Sequence, residues 1–411
     1  MNKGPLHGKT VVDLTTALAG PYATLLLSGL GARVIKVENP VRGGDSSRNN
    51  SPYISAEGLS AQRTSPEDMS VSMMLRGRGK ESMTLNLKHP ESRAVLMDVI
   101  RDADILVENY SAGVTKRLGI DYASVRTVNE KLVYTSISGF GAGSDSGDRK
   151  AMDTIVQALS GIMTTAGEPD DPPVRFGLPV GDLVAPLSAV IGTLGAVLHA
   201  ERTGEGQHVD VSMLGALTSL VACEPFDALE SVGFPLRTGA YVPRLAPFGT
   251  FEAVDGWFAI CAPTDQFAAG VLRAIGRPDL LESEDFGTRD ARVTNSKRLH
   301  GLIAGWAAEQ TLEAALGALD REGAPAAPVR TTAEAVRDPQ VTERREVVPL
   351  EHPEFGHFDG LLGSGMPFRY SSSAAQLQPT APHLGQHTAS ILGDLGYTQE
   401  TIASLGEDGV L

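Results

Sequence analysis

A repeated strand–helix–strand pattern constrains this chain more than any other feature. Residues 10–14 (TVVDL) are a β-rich run, the Ala- and Leu-rich stretch 20–30 suits a helix, and 32–38 (ARVIKVE) is a second β-rich run ending on Glu38. Two strands joined through one helix favour a parallel pair, because a tight turn cannot make that connection. The pattern recurs as a helix over 90–102, a strand over 104–108 (DILVE), a helix near 120–129 and a strand over 131–137 (KLVYTSI). The repetition predicts an α/β fold with a large, doubly wound, Rossmann-like domain. A long helix over 183–202 ends at Thr203-Gly204-Glu205-Gly206, and the strand QHVDVSM follows. Near 248–262 the character changes: FGTFEAVDGWFAICA reads as a hairpin turning at Asp255-Gly256. Helical runs near 265–275, 296–309 and 311–323 then predict a smaller α+β domain, and one or two helices close the chain over 382–411. Residues 39–70, rich in Gly, Ser, Asn and Pro, read as a long surface excursion.

Composition excludes several function classes. A length of 411 residues suggests two domains, and a net charge of −15 argues against a nucleic-acid binder. Two cysteines, Cys223 and Cys261, are too few for a disulfide framework, which points to a reducing, cytoplasmic setting. No secretory leader and no run of about 18 apolar residues is visible, so no membrane span is expected. The histidines and cysteines lack metal-ligand spacing, so no metal site is expected, and neither a nucleophile elbow nor a Walker A sequence is present.

Three places could carry chemistry. The turn after the first strand, Thr15-Thr16-Ala17-Leu18-Ala19-Gly20-Pro21, has one glycine where a dinucleotide fingerprint needs three. NAD binding is therefore a distant alternative, with Glu38 reading as a solvated acid. Gly181-Asp182 opens the long helix. Asp182 is open to two readings there: an N-cap, or a nucleophilic carboxylate whose neighbouring helix amides hold a developing oxyanion. Basic residues cluster at Arg76-Gly77-Arg78-Gly79-Lys80, Lys116-Arg117 and Arg149-Lys150, as phosphate contacts would require.

Longer segments resemble the class III CoA-transferase family, whose relatives include the α-methylacyl-CoA racemases. The carriers are VVDLTTALAGPYATLLLSGLGARVIKVENP (11–40), GDSSR (44–48), RGK (78–80), LNLKHPE (85–91), DILVENYSAGVTKRLGI (104–120) and SISGFG (136–141). DTIVQALSGIMTTAGEPDDPPVRFGLPVGD (153–182), HAERTGEGQHVDVSM (199–213), DPQV (338–341) and PHLGQHTASILGDLGY (382–397) extend the match nearly end to end.

The resemblance implies Asp182 as catalytic nucleophile, with Asp153 supporting it, and Lys80, Arg117 and Lys150 as the residues that bind coenzyme A. The CoA thioester is then a substrate, with no resident cofactor. The resemblance also implies an interlocked homodimer. Its domains are a large CoA-binding domain over 1–200 completed by 331–411, a linker over 201–229, a small domain over 230–325, and a return through 326–411. The implied reaction moves CoA from an acyl-CoA donor to a small carboxylic acid, a dicarboxylic one among the candidates, through aspartyl anhydride and aspartyl-CoA intermediates. Met152 stands where racemase relatives carry a histidine, and a thioether cannot shuttle protons. Thr16 and Leu18 replace the histidine and glutamine of oxalate-handling members. An intramolecular CoA shift within one dicarboxylate would use the same Asp182 chemistry and stays open, as does acyl-CoA racemisation by another route.

Overall fold

The computed structural model describes residues 3–143, 149–242 and 244–411. It divides into two compact units, one of residues 1–160, 177–220 and 336–411, the other of residues 161–176 and 221–335. Residues 161–176 thus belong with the smaller unit, although the sequence reading placed them in the large domain.

The larger unit is built on six parallel strands: β1 (Thr10–Asp13), β2 (Arg33–Glu38), β3 (Glu81–Thr84), β4 (Ile105–Glu108), β5 (Val133–Ser138) and β6 (His208–Ser212). Their spatial order is 3-2-1-4-5-6. The order reverses between β1 and β4, and a crevice opens at the carboxyl ends of strands at such a point. The helices used below are α1 (Ala19–Gly29), α2 (Val71–Gly77), α3 (Ser92–Arg101), α4 (Asp153–Leu159), α5 (Val180–Thr203), α6 (Thr388–Asp394) and α7 (Gln399–Glu407). The single helix expected near 120–129 is two short ones, Val114–Leu118 and Tyr122–Arg126, separated by Gly119 in the left-handed conformation.

Strand periodicity gives the sheet two unlike faces. Val12, Ile35, Val37, Met83, Leu106 and Tyr134 point one way and pack on Val95, Leu96, Val99 and Ile100 of α3. Ile391 and Leu392 of α6 and Val410 complete this core, so the C-terminal tail is part of the first domain. Each such side chain stabilises the fold by about 1.5–3 kcal/mol on burial. The opposite face carries Asp13, Lys36 and Thr135, all fully buried. Thr24 of α1 donates to Asp13 at 2.6 Å, and Thr135 pairs with Thr193 of α5 at 2.7 Å. By length and composition α5 could cross a bilayer, which the sequence reading did not anticipate. It buries Ala185, Ala189, Thr193 and Ala196 along one side.

The smaller unit contains the expected hairpin, Phe248–Ala253 paired antiparallel with Gly256–Cys261, with Ala326–Pro328 added to its edge. Helices Asp265–Ala274, Ser296–Ala307 and Leu312–Arg321 lie close to the predicted runs. The excursion over 39–70 is folded, with a small sheet of Tyr53–Ser55, Gly58–Ser60 and Met69–Ser70.

A buried charge network occupies the polar face. Asp13 accepts from the Thr15 amide (2.9 Å), the Thr15 hydroxyl (2.5 Å) and Lys80 Nζ (3.0 Å). Lys80 spends its other two protons on Pro21 O (2.9 Å) and Thr24 Oγ1 (2.7 Å). Lys36 donates to Thr15 O (2.9 Å) and pairs with Asp45 at 2.7 Å. Burial alone would push the Asp13 carboxyl up, but the ammonium groups of Lys36 and Lys80 hold it far below its usual range. Lys80 is pushed down to about 8, because burial outweighs the pull of Asp13.

This placement corrects two expectations. Lys80 is 4% exposed with all three protons committed, so it faces Asp13 and not a phosphate. Glu38 is not a solvated acid: it is buried, forked to Arg48 at 2.8 and 2.7 Å, and accepts from Ser82. Removing one partner from a buried ion pair strands the other, at a cost of about 3–5 kcal/mol. Lys80→Met should therefore lower unfolding free energy by about 3 kcal/mol in urea titration. A change within about 0.5 kcal/mol, as for a surface lysine, contradicts the structural role.

Candidate active site

The turn after β1 forms the rim of the crevice, and the network below fixes it. Lys36 holds the Thr15 carbonyl, and Asn109, just past β4, both accepts from the Thr16 amide and donates to its carbonyl, each at 2.9 Å. Asp45 accepts from the Ala17 amide at 3.0 Å. These bonds keep Ala17 at φ 68°, a conformation that side-chain-bearing residues rarely adopt. Gly20 is obligatory here, since a Cβ would lie 2.3 Å from Cβ of Thr15.

Two cavities flank this turn and share Thr16, Tyr110 and Ser111 as walls. The first, about 940 Å³, has the basic residues Arg42, Lys88 and Arg117 on its lining. The second, about 830 Å³, contains Asp153 and Asp182 together with Arg149, Lys150, Glu108, His208 and Asp210. Arg117 and Lys150, both exposed, thus lie in different but adjoining cavities, and Lys80 lines neither.

Asp182 is the third residue of α5 and not its cap; the N-cap is Pro179, which offers no side-chain acceptor. Asp153, at the start of α4, does the capping from outside. Its Oδ1 accepts from the Gly181 amide at 2.8 Å and, more loosely, from the Asp182 amide at 3.4 Å. Gln157, one turn on, donates to Asp153 Oδ2 at 2.7 Å. The neighbouring amides of Val180 and Leu183 donate to Leu178 O and Pro179 O. The first-turn amides are thus engaged, which overturns the expectation that they hold an oxyanion.

The consequence falls on Asp182. With the helix start capped by Asp153, its half-buried carboxylate accepts no hydrogen bond among the described residues and opens into the second cavity. Burial and then the charge of Asp153 push it up to about 6, against the pull of Arg76. A perturbed carboxyl lining a cleft marks a functional site. The carboxylate remains ionised at neutral pH, weakly solvated and unencumbered, as a nucleophile requires.

The far wall is a polar cluster that sequence reasoning missed. Ser136 pairs with His208 at 2.9 Å, Asp210 accepts from the Ala142 amide at 2.7 Å, and buried Glu108 accepts from the Tyr110 amide at 2.8 Å. Burial pushes Glu108 up and His208 down. For Ser136 and Glu108 the signal was their place near the carboxyl ends of predicted strands, where α/β crevices collect ligands; His208 and Asp210 lie at the start and middle of β6, and no sequence signal marked them. Met152, beside Asp153, is 75% exposed and lines the same cavity.

A family model described as CoA-transferase family III matches residues 6–388. The succinyl-CoA:mesaconate CoA-transferase of Haloarcula hispanica is 35% identical, over 96% of this chain and 97% of that protein. The succinate–glutarate CoA-transferase of Agrobacterium fabrum is 32% identical, over 97% of this chain and 98% of that protein. Among solved structures, a CAIB/BAIF family protein from Brucella suis superposes with a TM-score of 0.82 at 32% identity, covering 96% of this chain and all of that one. With sequence match and fold in agreement from end to end, this chain belongs to the class III CoA-transferases.

Proposed function

We propose that Asp182 is the covalent nucleophile of this CoA-transferase and that its acids are short dicarboxylates. The observation that carries the first part is the division of labour between two neighbouring carboxylates. Asp153 caps α5, so Asp182 keeps its oxygens free toward the cavity. Similarity to transferases named for mesaconate, succinate, glutarate and oxalate supports the second part.

Asp182 attacks the thioester carbonyl, the C–S bond breaks, and a mixed anhydride and CoA thiolate result. The thiolate then attacks the aspartyl carbonyl, releasing the donor acid and leaving an aspartyl-CoA thioester. The acceptor carboxylate reverses both steps. In this reading coenzyme A lies across the two adjoining cavities, a placement supported by the basic lining of the first, Arg42, Lys88 and Arg117, and by Lys150 beside Asp182 in the second. Racemisation finds no imidazole beside Asp153, because that position is Met152. A homodimer is supported by exposed apolar side chains on α4 and α5, namely Ile155, Leu159, Leu187, Ile191 and Leu198. Large apolar side chains left exposed along helices are what an interaction face would use.

Asp182→Asn should abolish transfer while leaving CoA affinity unchanged. The sign of its effect on stability separates nucleophile from structural acid. A carboxyl raised from 3.8 to about 6 by folding penalises the folded state above pH 6, and the penalty fades as pH falls toward 3.8. The Asn variant should be more stable at pH 7.5 by about 1 kcal/mol, a figure reduced for solvent screening, and the gain should vanish near pH 4. In the wild type, kcat/KM should fall about tenfold per pH unit below about 6, as the nucleophile protonates. An Asn variant with near wild-type transfer rates contradicts the assignment. Arg117→Glu together with Lys150→Glu should weaken CoA binding by about 3–6 kcal/mol in calorimetry, since charge-assisted hydrogen bonds contribute about 1.5–3 each. Unchanged affinity removes those contacts.

A further inference from the structure

Arg76 is a cation without a counter-ion of its own. It sits near the end of α2, and its guanidinium makes one loose hydrogen bond, Nη1 to Ala17 O at 3.4 Å. Among the described residues it forms no ion pair. Ala17 and Asp182 line the same cavity, so this contact places Arg76 at the edge of the site. The carboxylates whose charges reach it are Asp45 and Asp182. Asp45 is already taken by Lys36 at 2.7 Å. Half-buried, Arg76 also loses hydration, which disfavours its charge. A guanidinium does not discharge in response; it takes an anion.

The charge balance changes during the reaction. When Asp182 becomes an anhydride or thioester its negative charge is gone, because the carboxylate is now esterified. The charge passes to the CoA thiolate at the anhydride stage and to the released acid at the thioester stage, both of which must move, whereas a second carboxylate on the acyl group gives Arg76 a partner that stays in place. A monocarboxylic acid has none to offer, whereas a short dicarboxylic acid does. We propose that Arg76 is the specificity residue that receives the remote carboxylate of the substrate, and so selects dicarboxylic over monocarboxylic acids. This rests on the reading of Asp182 as the acylated residue. Guanidinium suits the task because it grips a carboxylate through two parallel N–H donors.

The test compares succinate with butyrate as acceptors from acetyl-CoA, in wild type and in Arg76→Met and Arg76→Lys. A second readout needs no acceptor: exchange of labelled free CoA into acetyl-CoA, which reports attack by Asp182 and release of the thiolate, and involves no second carboxylate. Wild type should favour succinate. Arg76→Met should lose about 10- to 100-fold in kcat/KM for succinate, the worth of a charge-assisted hydrogen bond, with the loss mainly in KM. Its exchange rate and butyrate transfer should change less than about threefold. Arg76→Lys should recover part of the succinate rate. The proposal is overturned if wild type does not favour succinate. It is also overturned if Arg76→Met keeps its succinate rate, or if exchange falls in step with transfer, since Arg76 would then serve Asp182 or the fold. A wild type that neither exchanges CoA nor transfers it from any thioester to any acid fails the transferase reading itself, and this inference with it.

Discussion

Two carboxylates and two ammonium groups, Asp13, Asp45, Lys36 and Lys80, meet buried from solvent beside the first two strands. Such a cluster is a poor source of stability, because desolvation offsets most of its Coulomb attraction. Its effect here is positional. Asp13 pins Thr15, Lys36 pins the Thr15 carbonyl, and Asp45 pins Ala17 in a strained backbone conformation. The turn held in this way is the wall between two cavities. A hydrophobic core at this point would leave the turn's buried peptide groups unpaired, at a cost of about 1–3 kcal/mol each. The polar face of the sheet is therefore needed for the crevice to exist.

The second constraint concerns the start of α5. Helix amides there need an acceptor, and like charges resist sharing a site. The structure resolves both demands by giving the capping role to Asp153 and leaving Asp182 uncapped. The raised position of the Asp182 carboxyl is the thermodynamic trace of that choice: its charge is poorly solvated and close to another. In the role proposed for Asp182, function and stability pull in opposite directions at this residue, as they commonly do at active sites.

The fold was legible in the sequence because period-2 and helical patterns alternate cleanly from Thr10 to Ser138. The parallel sheet and the hairpin turning at Asp255-Gly256 follow from local pattern and turn chemistry. The hairpin Val347–His352 with Gly356–Ser364 was missed; Pro349 and a register shift interrupt its alternation. The errors at the site have one cause. Lys80, Glu38 and the cap of α5 depend on residues distant in sequence: Lys80 reaches Asp13, Glu38 is forked to Arg48, and Asp153 lies 28 positions before Gly181. Motif position singled out Asp182, Asp153 and Lys150, which line one cavity in the structure, but could not say which carboxylate would be free. Arg76 was visible only as one member of a basic run, since its place near Asp182 without an ion pair among the described residues is a property of the folded chain.

The central claim is that a side chain of this protein carries the acyl group between donor and acceptor. Hydroxylamine trapping followed by peptide mass spectrometry tests it most directly. After incubation with a succinyl- or acetyl-CoA thioester, hydroxylamine should convert Asp182 alone to a hydroxamate, shifting the one peptide that contains it and inactivating the enzyme in proportion. Modification elsewhere with Asp182 untouched, or steady turnover that leaves every peptide unmodified, contradicts the account.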